Sequence, residues 1–145
     1  LKKGIGVVPF SPIASGFLSG KGKAQEQFGF DDVRKFVPQL SKENIEANRP
    51  ILDLLHRFAV EKNATNAQIS LAWMLHKYPN VVPIPGSKNQ ERILENLGAW
   101  NVTLSGDEFR QLQSALDECK VHGHRGCVET EQTSFGKQWS EETAK

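Results

Sequence analysis

The sequence has few of the features that would point to several large classes of protein. Two of its 145 residues are cysteine, too few for the disulfide framework of a small secreted domain. No apolar run approaches the length of a membrane-spanning helix, and the opening LKKGIGVVPF lacks the apolar core and cleavage site of a signal peptide. We therefore expect a cytoplasmic protein without a membrane partner.

An excess of charge of one sign is also absent. The 18 basic and 17 acidic residues give a net charge of +1, so no basic field indicates nucleic-acid binding. Charged residues make up 24% of the chain and hydrophobic residues 38%, as in ordinary globular proteins. A length of 145 residues is enough for one domain with its own core.

The two cysteines belong to a short pattern near the end of the chain. Cys119, His122, His124 and Cys127 spell C-x-x-H-x-H-x-x-C, which is compatible with a zinc ligand set. Structural zinc sites usually show paired two-residue spacings, and these histidines lie in a glycine-rich turn. The pattern therefore favours two free cytosolic thiols, and we expect no metal site.

The hydrophobic pattern predicts an alternation of strands and helices. Two short apolar runs, residues 5–10 and 81–85, are typical of buried strands. Residues 14–40 are rich in glycine and then in charge, which predicts a long loop. Strands that alternate with helices are usually parallel, and two parallel strands cannot complete a sheet. The chain thus looks like part of a larger α/β protein.

Capping residues mark the beginnings of the predicted helices. Pro50 lacks a backbone donor and is expected to kink the first of them in its middle, while the last is expected to run to about Cys119. Residues 121–145 are polar and are predicted to form a tail of low order. The capping candidates are Ser41, Thr65 with Gln68, Asn89, and Ser105 with Glu108.

The stretch GFLSGKG at residues 16–22 has the composition of a loop that binds nucleotide phosphates. A Walker loop needs four residues between its glycines and a Ser or Thr after its lysine. Here three residues separate Gly16 from Gly20, and Gly22 follows Lys21. The pattern therefore argues against a Walker loop, although its glycines and lysine still indicate phosphate chemistry.

A stronger anion site is predicted where the second apolar run leads into a helix. Ligands of parallel α/β proteins gather at the carboxyl ends of the strands. Gly86, Ser87 and Lys88 follow the second run directly and precede a helix N-terminus. The unpaired N–H groups and the dipole of that helix favour an anion, and Lys88 adds a full positive charge.

Three residues of the following helix share one face. Arg92, Glu95 and Asn96 have i, i+3 and i+4 spacing. Arg92 can bind a phosphate through two hydrogen bonds, and Glu95 and Asn96 offer an acceptor and a donor suited to adenine. This combination fits the 2′-phosphate end of NADP(H). A solvated helix with an Arg92–Glu95 ion pair explains the spacing equally well, so both interpretations remain open.

Two segments together resemble the aldo-keto reductases. They are GIGVVPFSPIASGFLSGK at residues 4–21 and VVPIPGSKNQERILENLGA at residues 81–99, and the sequence between them is similar to the bacterial and plant-like branch of that family. The resemblance implies an α/β fold that is part of a (β/α)8 TIM barrel, with strands seven and eight, their helices and an extra C-terminal helix. Residues 1–120 would form this C-terminal portion of the barrel, followed by a tail or loop at residues 121–145.

The resemblance also implies which residues contact the cofactor, NADP(H). Phe10 takes the position of the aromatic residue that stacks on the nicotinamide, which is usually a tyrosine. The resemblance places the pyrophosphate along the residues after the first run, and the 2′-phosphate and adenine after the second. The implied contacts are Ser11, Pro12, Ile13, Ala14, Leu18 and Lys23 in the first group and Gly86, Ser87, Lys88, Arg92, Glu95 and Asn96 in the second.

The activity implied by the resemblance is NADPH-dependent reduction of aldehydes or ketones to alcohols by hydride transfer. The family's catalytic Tyr, Lys, Asp and His come from the first half of the barrel. We therefore expect no catalytic residue on this chain, and the missing N-terminal part as its partner, in the same or a separate polypeptide. The single tyrosine, Tyr78, precedes the second run and is expected at the opposite end from the chemistry.

The implied substrate is a small carbonyl compound. Phe135 and Trp139 in the tail are the local candidates for contact with it, although these aromatic residues would equally serve to anchor the tail. A non-catalytic nucleotide-sensing regulatory module, or an inactive fragment, remains the alternative to an enzyme.

Overall fold

The computed structural model describes residues 4–126. Their regular structure is helical, and none of the helices has the length and apolar character needed to cross a membrane. The α-helices are α1 (Lys42–Ala47), α2 (Arg49–Glu61), α3 (Asn66–Lys77), α4 (Gln90–Leu97) and α5 (Gly106–Glu118). Short 3₁₀ turns occur at Ala14–Ser19, Gln25–Gln27, Val33–Phe36, Pro38–Leu40 and Gly98–Asn101.

The described residues group into two compact units. The first unit comprises residues 4–22 and 49–120 and contains helices α2 to α5. The second unit comprises residues 23–48 and 121–126 and contains α1. The predicted division at residue 120 into a barrel portion and a tail stays a prediction.

The helix starts predicted from capping residues are confirmed. The side chains of the four caps each accept a hydrogen bond from the backbone N–H three residues further on. Gln68 and Glu108 complete the two predicted capping boxes by accepting bonds from the N–H groups of their caps. The caps are Ser41 for α1, Thr65 for α3, Asn89 for α4 and Ser105 for α5.

The single helix predicted to begin at Ser41, with a kink at Pro50, is in fact two separate helices. Asn48 follows the last residue of α1 and has φ −89° and ψ 4°. Pro50 is the second residue of α2, in the first turn of the helix, where a missing N–H removes no internal hydrogen bond. Proline therefore fits the start of a new helix here better than the middle of an old one.

An apolar core holds the first unit together. Phe58, Ile69 and Leu112, from α2, α3 and α5, are between 0% and 2% exposed. Burial of side chains of this size contributes roughly 1.5–3 kcal/mol each. At its edge, Lys62 pairs with Glu108 at 2.6 Å. The hydrogen bonds that Glu108 accepts from Lys62 and from the N–H of Ser105 lower its pKa to about 2.

The two apolar runs lie side by side in parallel orientation. Val7 pairs with Val81, and Phe10 pairs with Ile84. A hydrogen bond also joins the two runs, because the N–H of Ile84 donates to the carbonyl of Pro9 at 3.2 Å. The parallel arrangement predicted from the alternation of strands and helices is thus observed.

The prediction that these runs are buried strands is wrong in two respects. Within residues 4–126 they form isolated bridges and no continuous strand. Pro9 is a residue of the first run that faces the second run, whereas Pro83 and Pro85 face away from the first run. None of these three prolines has an N–H to donate to a β-ladder. One face of the pair is also open, because its apolar side chains are between 51% and 69% exposed; they are Val8, Phe10, Val82 and Ile84.

Hydrogen bonds join the two segments of the second unit, residues 23–48 and residues 121–126. Asn48 is 1% exposed, and its side-chain amide donates to the carbonyl and accepts from the N–H of His122, both at 2.8 Å. The N–H of Gln39 donates to the carbonyl of His124 at 3.1 Å. Between them Gly123 has φ +77°, and a Cβ there would lie 2.8 Å from the Cα of Gln39.

These contacts correct one expectation for the second unit. Residues 122–124 are fixed by hydrogen bonds, so the low order predicted for residues 121–145 does not apply to them. The long loop predicted at residues 14–40 contains four 3₁₀ turns. The remainder of the tail, with Phe135 and Trp139, lies outside the described residues.

The Cys–His pattern is only partly described, since Cys127 lies outside the described residues. Cys119 is half-buried, and its thiol donates to the carbonyl of Ala115 at 3.3 Å. Among residues 4–126, no three or more His, Cys, Asp or Glu side chains are grouped so as to hold a metal ion. The preference for free thiols over zinc stays a prediction.

Candidate functional site

Two loops leave the paired runs at the same end. We call residues 11–22 the first loop and residues 86–89 the second loop. Phe10 and Ile84 are bridge partners at the carboxyl ends of their runs, so the loops begin next to each other. The structure therefore brings together the beginnings of the two groups of residues predicted to bind a ligand.

The backbone of the first loop has an unusual conformation. Ser11, Ala14 and Ser15 have φ of 45°, 50° and 55°, in the left-handed region, and Gly16 continues with φ 95°. This region costs residues other than glycine roughly 1–2 kcal/mol each. Such conformations persist only where their surroundings impose them, and they cluster at ligand-binding sites. The first loop is therefore a candidate site on the evidence of its backbone alone.

Local hydrogen bonds and one buried ring hold this backbone in place. The carbonyl of Ser11 accepts from the N–H of Ala14 at 3.0 Å, and the carbonyl of Ile13 accepts from the N–H of Leu18 at 3.3 Å. Phe17 is 3% exposed and anchors the loop within the first unit. The left-handed backbone of the loop is thus supported by local hydrogen bonds and by the burial of Phe17.

The side chains predicted to lie along the cofactor differ in exposure. Phe10 is 69% exposed and presents its ring at the start of the first loop. Pro12 is buried, and Leu18 packs against the core of the first unit. A contact with ligand in this loop would therefore come mainly from the backbone and from Phe10.

Lys23 belongs to the second unit, apart from the rest of the first group. It lies near Asp32, whose carboxylate accepts hydrogen bonds of 2.5–3.1 Å from the guanidinium of Arg34. These bonds, the backbone N–H of Arg34 and, to a smaller extent, the charge of Lys23 lower the pKa of Asp32 to about 2. Contact between Lys23 and the cofactor stays a prediction.

The second loop leads into α4 through a capped turn. Ser87 Oγ accepts from the N–H of Asn89 at 3.1 Å, and Asn89 Oδ1 accepts from the N–H of Arg92 at 3.0 Å. Gly86 and Lys88 are exposed at this helix start, as is the Arg92 side chain. Neither cation has an ion-pair partner within the described part of the chain. Two unpaired cations beside a positive helix end are well suited to a phosphate.

Burial divides the predicted face of α4. Arg92 is exposed, Glu95 is half-buried, and Asn96 is 9% exposed. No ion pair joins Arg92 to Glu95 in the residues described, so the interpretation of α4 as an ion-paired solvated helix lacks its ion pair. Asn96 lines an apolar cavity of about 360 Å³ together with Ile93 and Trp100. The adenine contacts of Glu95 and Asn96 stay predictions.

Ser15 is a residue that sequence reasoning missed. Its left-handed backbone extends the strained part of the first loop from Ala14 to Gly16. The Ser-Gly pair at residues 15–16 is a turn signal. That signal predicts a left-handed conformation for Gly16 but not for Ser15, because serine rarely adopts this conformation.

The chain belongs to the aldo/keto reductase family, whose family model matches residues 1–117. It is 35% identical over 121 residues to the aldo-keto reductase yakc of Schizosaccharomyces pombe, whose name specifies NADP(+). It is 37% identical over 122 residues to the probable aldo-keto reductase 1 of Glycine max. The family recognised from two sequence motifs is thereby confirmed.

The chain spans about a third of the length of these relatives. The two alignments cover 83% and 84% of the chain but 36% and 35% of the relatives. A solved thermostable aldo-keto reductase, crystallised with the inhibitor epalrestat, is 29% identical with a TM-score of 0.48. That match covers 79% of this chain and 31% of the solved one.

Proposed function

We propose that this chain provides the NADP(H)-binding part of an oxidoreductase that reduces aldehydes or ketones to alcohols. The parallel pairing of Phe10 with Ile84 carries the proposal, because it starts both loops at one edge. NADP(H) is an extended dinucleotide with separate anionic groups at its pyrophosphate and its 2′-phosphate, and two adjacent loops suit it. The name of the Schizosaccharomyces pombe relative agrees with this cofactor.

The residues of the two loops fit this cofactor chemically. Phe10 offers an exposed aromatic face to the nicotinamide. Lys88 and Arg92, which have no ion-pair partner among residues 4–126, offer their positive charges to the 2′-phosphate. When bound, NADPH supplies the hydride that reduces a carbonyl carbon. The proposed further contacts are Ser11, Pro12, Ile13, Ala14, Leu18 and Lys23 near the pyrophosphate, Gly86 and Ser87 near the 2′-phosphate, and Glu95 and Asn96 at the adenine.

In this proposal the chain binds and orients the cofactor and carries no catalytic residue. Tyr78 lies at the amino end of the second run, where its carbonyl accepts from the N–H of Val81 at 3.1 Å, away from the two loops. We therefore place the proton donor in the N-terminal part of the barrel, which is the proposed partner in the same or a separate polypeptide.

The open apolar surface of the first unit supports such a partner. Val82 and Ile84 are exposed on one face of the paired runs. A second apolar cavity of about 570 Å³ is lined by Val7, Trp73 and Met74, among others. Covering these side chains would contribute roughly 1.5–3 kcal/mol for each one fully buried. Strands and helices added at these surfaces would extend the pair, as strands seven and eight, into a (β/α)8 barrel.

The Arg92→Ala variant tests the proposed cofactor. Loss of one charged hydrogen-bonding partner costs about 1.5–3 kcal/mol, so NADPH binding to the chain should weaken about 10- to 150-fold. NADH lacks the 2′-phosphate and should bind as before. Fluorescence titration of both nucleotides measures the two effects.

The matched control for this test is Arg110→Ala. Arg110 is an exposed arginine of α5 that pairs with Asp107, and its removal should change neither affinity. Equal weakening of NADPH and NADH by Arg92→Ala would contradict the assignment of the 2′-phosphate.

Addition of the N-terminal portion tests the proposed activity. The chain can be joined to the corresponding portion of the Glycine max relative and assayed for NADPH oxidation with an aldehyde. Turnover supports a reductase. A joined protein that binds NADPH but reduces no aldehyde would instead favour a nucleotide-sensing module.

A further inference from the structure

The side chain of Gln68 joins two helices. Its Oε1 accepts a hydrogen bond from the N–H of Thr65 at 3.0 Å and thereby caps α3. Its Nε2 donates to the backbone carbonyl of Glu95 at 2.8 Å. That carbonyl lies in the last turn of α4, where carbonyls lack partners within the α-helix. One side chain therefore begins α3 and holds the end of α4.

Only an amide makes both of these bonds. Glu is as suitable as Gln in a capping box, but a carboxylate has no N–H to donate. The capping box of α5 shows the alternative, because Glu108 caps that helix and pairs with Lys62. The bond to α4 therefore explains why position 68 carries Gln.

Gly98 leaves the space that the bond to α4 requires. A Cβ on Gly98 would lie 2.6 Å from Nε2 of Gln68, which is too close for any real contact. The backbone of Gly98 has φ −60° and ψ −16°, a conformation open to every residue. The close approach of Gln68, and not the backbone, therefore accounts for glycine at this position.

The bond to Glu95 holds the part of α4 that carries Asn96. Asn96 is nine-tenths buried, and its side chain makes no hydrogen bond within residues 4–126. We propose that Gln68 is a positioning residue that orients Glu95 and Asn96 toward the 6-amino group and a ring nitrogen of a bound adenine. This inference rests on the proposed function, in which α4 forms the adenine side of an NADP(H) site.

The Gln68→Glu variant separates the two bonds, because it keeps the cap of α3 and removes the donor to α4. The probes are adenosine 2′,5′-bisphosphate and its inosine counterpart, which has an oxygen in place of the 6-amino group. We expect the original chain to prefer the adenine probe about 10-fold, the worth of one hydrogen bond. In Gln68→Glu the preference should fall to about 2-fold or less, as measured by titration calorimetry on the full chain.

Thr65→Ala is the matched control. It removes a capping bond of α3 and leaves the donor to Glu95 in place, so the preference for adenine should stay near its original value. Weaker binding of both probes with an unchanged preference in Gln68→Glu would overturn the positioning role and leave the proposed function standing. Binding of neither probe by the original chain would overturn both.

Gly98→Ala tests the same bond without touching Gln68. The added Cβ should displace Nε2 and reduce the preference for adenine as Gln68→Glu does. In a Gln68→Ala background the clash is gone, so Gly98→Ala should cause no further change in either affinity. A Gly98→Ala variant that keeps the full preference would contradict the inference.

Discussion

The two loops at the carboxyl ends of the paired runs are built in different ways. The first loop is shaped by its backbone, with left-handed residues from Ala14 to Gly16 and a buried anchor at Phe17. The second loop has an ordinary backbone and is shaped by side-chain bonds from Ser87 and Asn89.

This difference separates two ways of preparing a protein for an anionic ligand. A strained backbone has its binding conformation before the ligand arrives, and that conformation depends on the packing around it. A capped helix start depends on a few polar atoms and on neighbouring charges. We therefore expect stability to respond mainly to changes in the first loop, and anion affinity to changes in the second.

The largest effect should come from removing the anchor of the first loop. Phe17→Ala leaves a cavity where a 3%-exposed ring was, and it should lower the free energy of unfolding by about 3–5 kcal/mol. Ser87→Ala is the counterpart in the second loop and should cost about 1 kcal/mol or less, since one hydrogen bond is lost. Urea unfolding of both variants checks this; equal losses would erase the distinction between the loops.

A smaller effect is expected from the cap of the second loop. Asn89→Ala removes the side-chain acceptor for the N–H of Arg92 and should cost about 1 kcal/mol of stability. Asn89→Asp keeps the acceptor and should unfold like the original chain. Its added negative charge should nevertheless weaken NADPH binding, which a fluorescence titration measures. A stable Asn89→Asp variant with unchanged affinity would show that this helix start does not face an anion.

The smallest effect on stability should come from relief of backbone strain. The test is whether the free energy of unfolding rises or falls. At φ 50°, Ala14→Gly removes a penalty of roughly 1–2 kcal/mol and adds about 0.5–1 kcal/mol of glycine entropy, so it should stabilise the chain by about 0.5 kcal/mol. Ala115→Gly in α5 is the control and should destabilise by about 0.5–1 kcal/mol. Melting temperatures that fall in both variants would show that Ala14 is not strained.

Local signals predicted the helix starts well. Ser41, Thr65, Asn89 and Ser105 each act on N–H groups within three residues, so a short window of sequence contains the whole interaction. The positions of Lys88 and Arg92 at a helix start follow from the same signal. The family resemblance then predicted which cofactor these residues contact.

Features that depend on distant residues were not predicted. The bond of Gln68 to Glu95 spans 27 residues, and that of Asn48 to His122 spans 74. The exposure of Val82 and Ile84 was also missed, because an apolar run indicates that burial is favourable and not which surface covers it. The left-handed conformations of Ser11 and Ser15 were also missed, because serine rarely adopts them and a turn signal does not place them on serine.

The prolines of the second run have a consequence for how the chain meets other strands. Val81, Val82 and Ile84 already donate their N–H groups to Tyr78, Val7 and Pro9, and Pro83 and Pro85 have none. Residues 81–85 therefore retain no donor for an incoming strand and can only accept hydrogen bonds. Two copies of this edge cannot form a hydrogen-bonded ladder, because both would offer carbonyls. The outer edge of the run is thus closed to self-association while it stays open to a different strand that brings its own N–H groups.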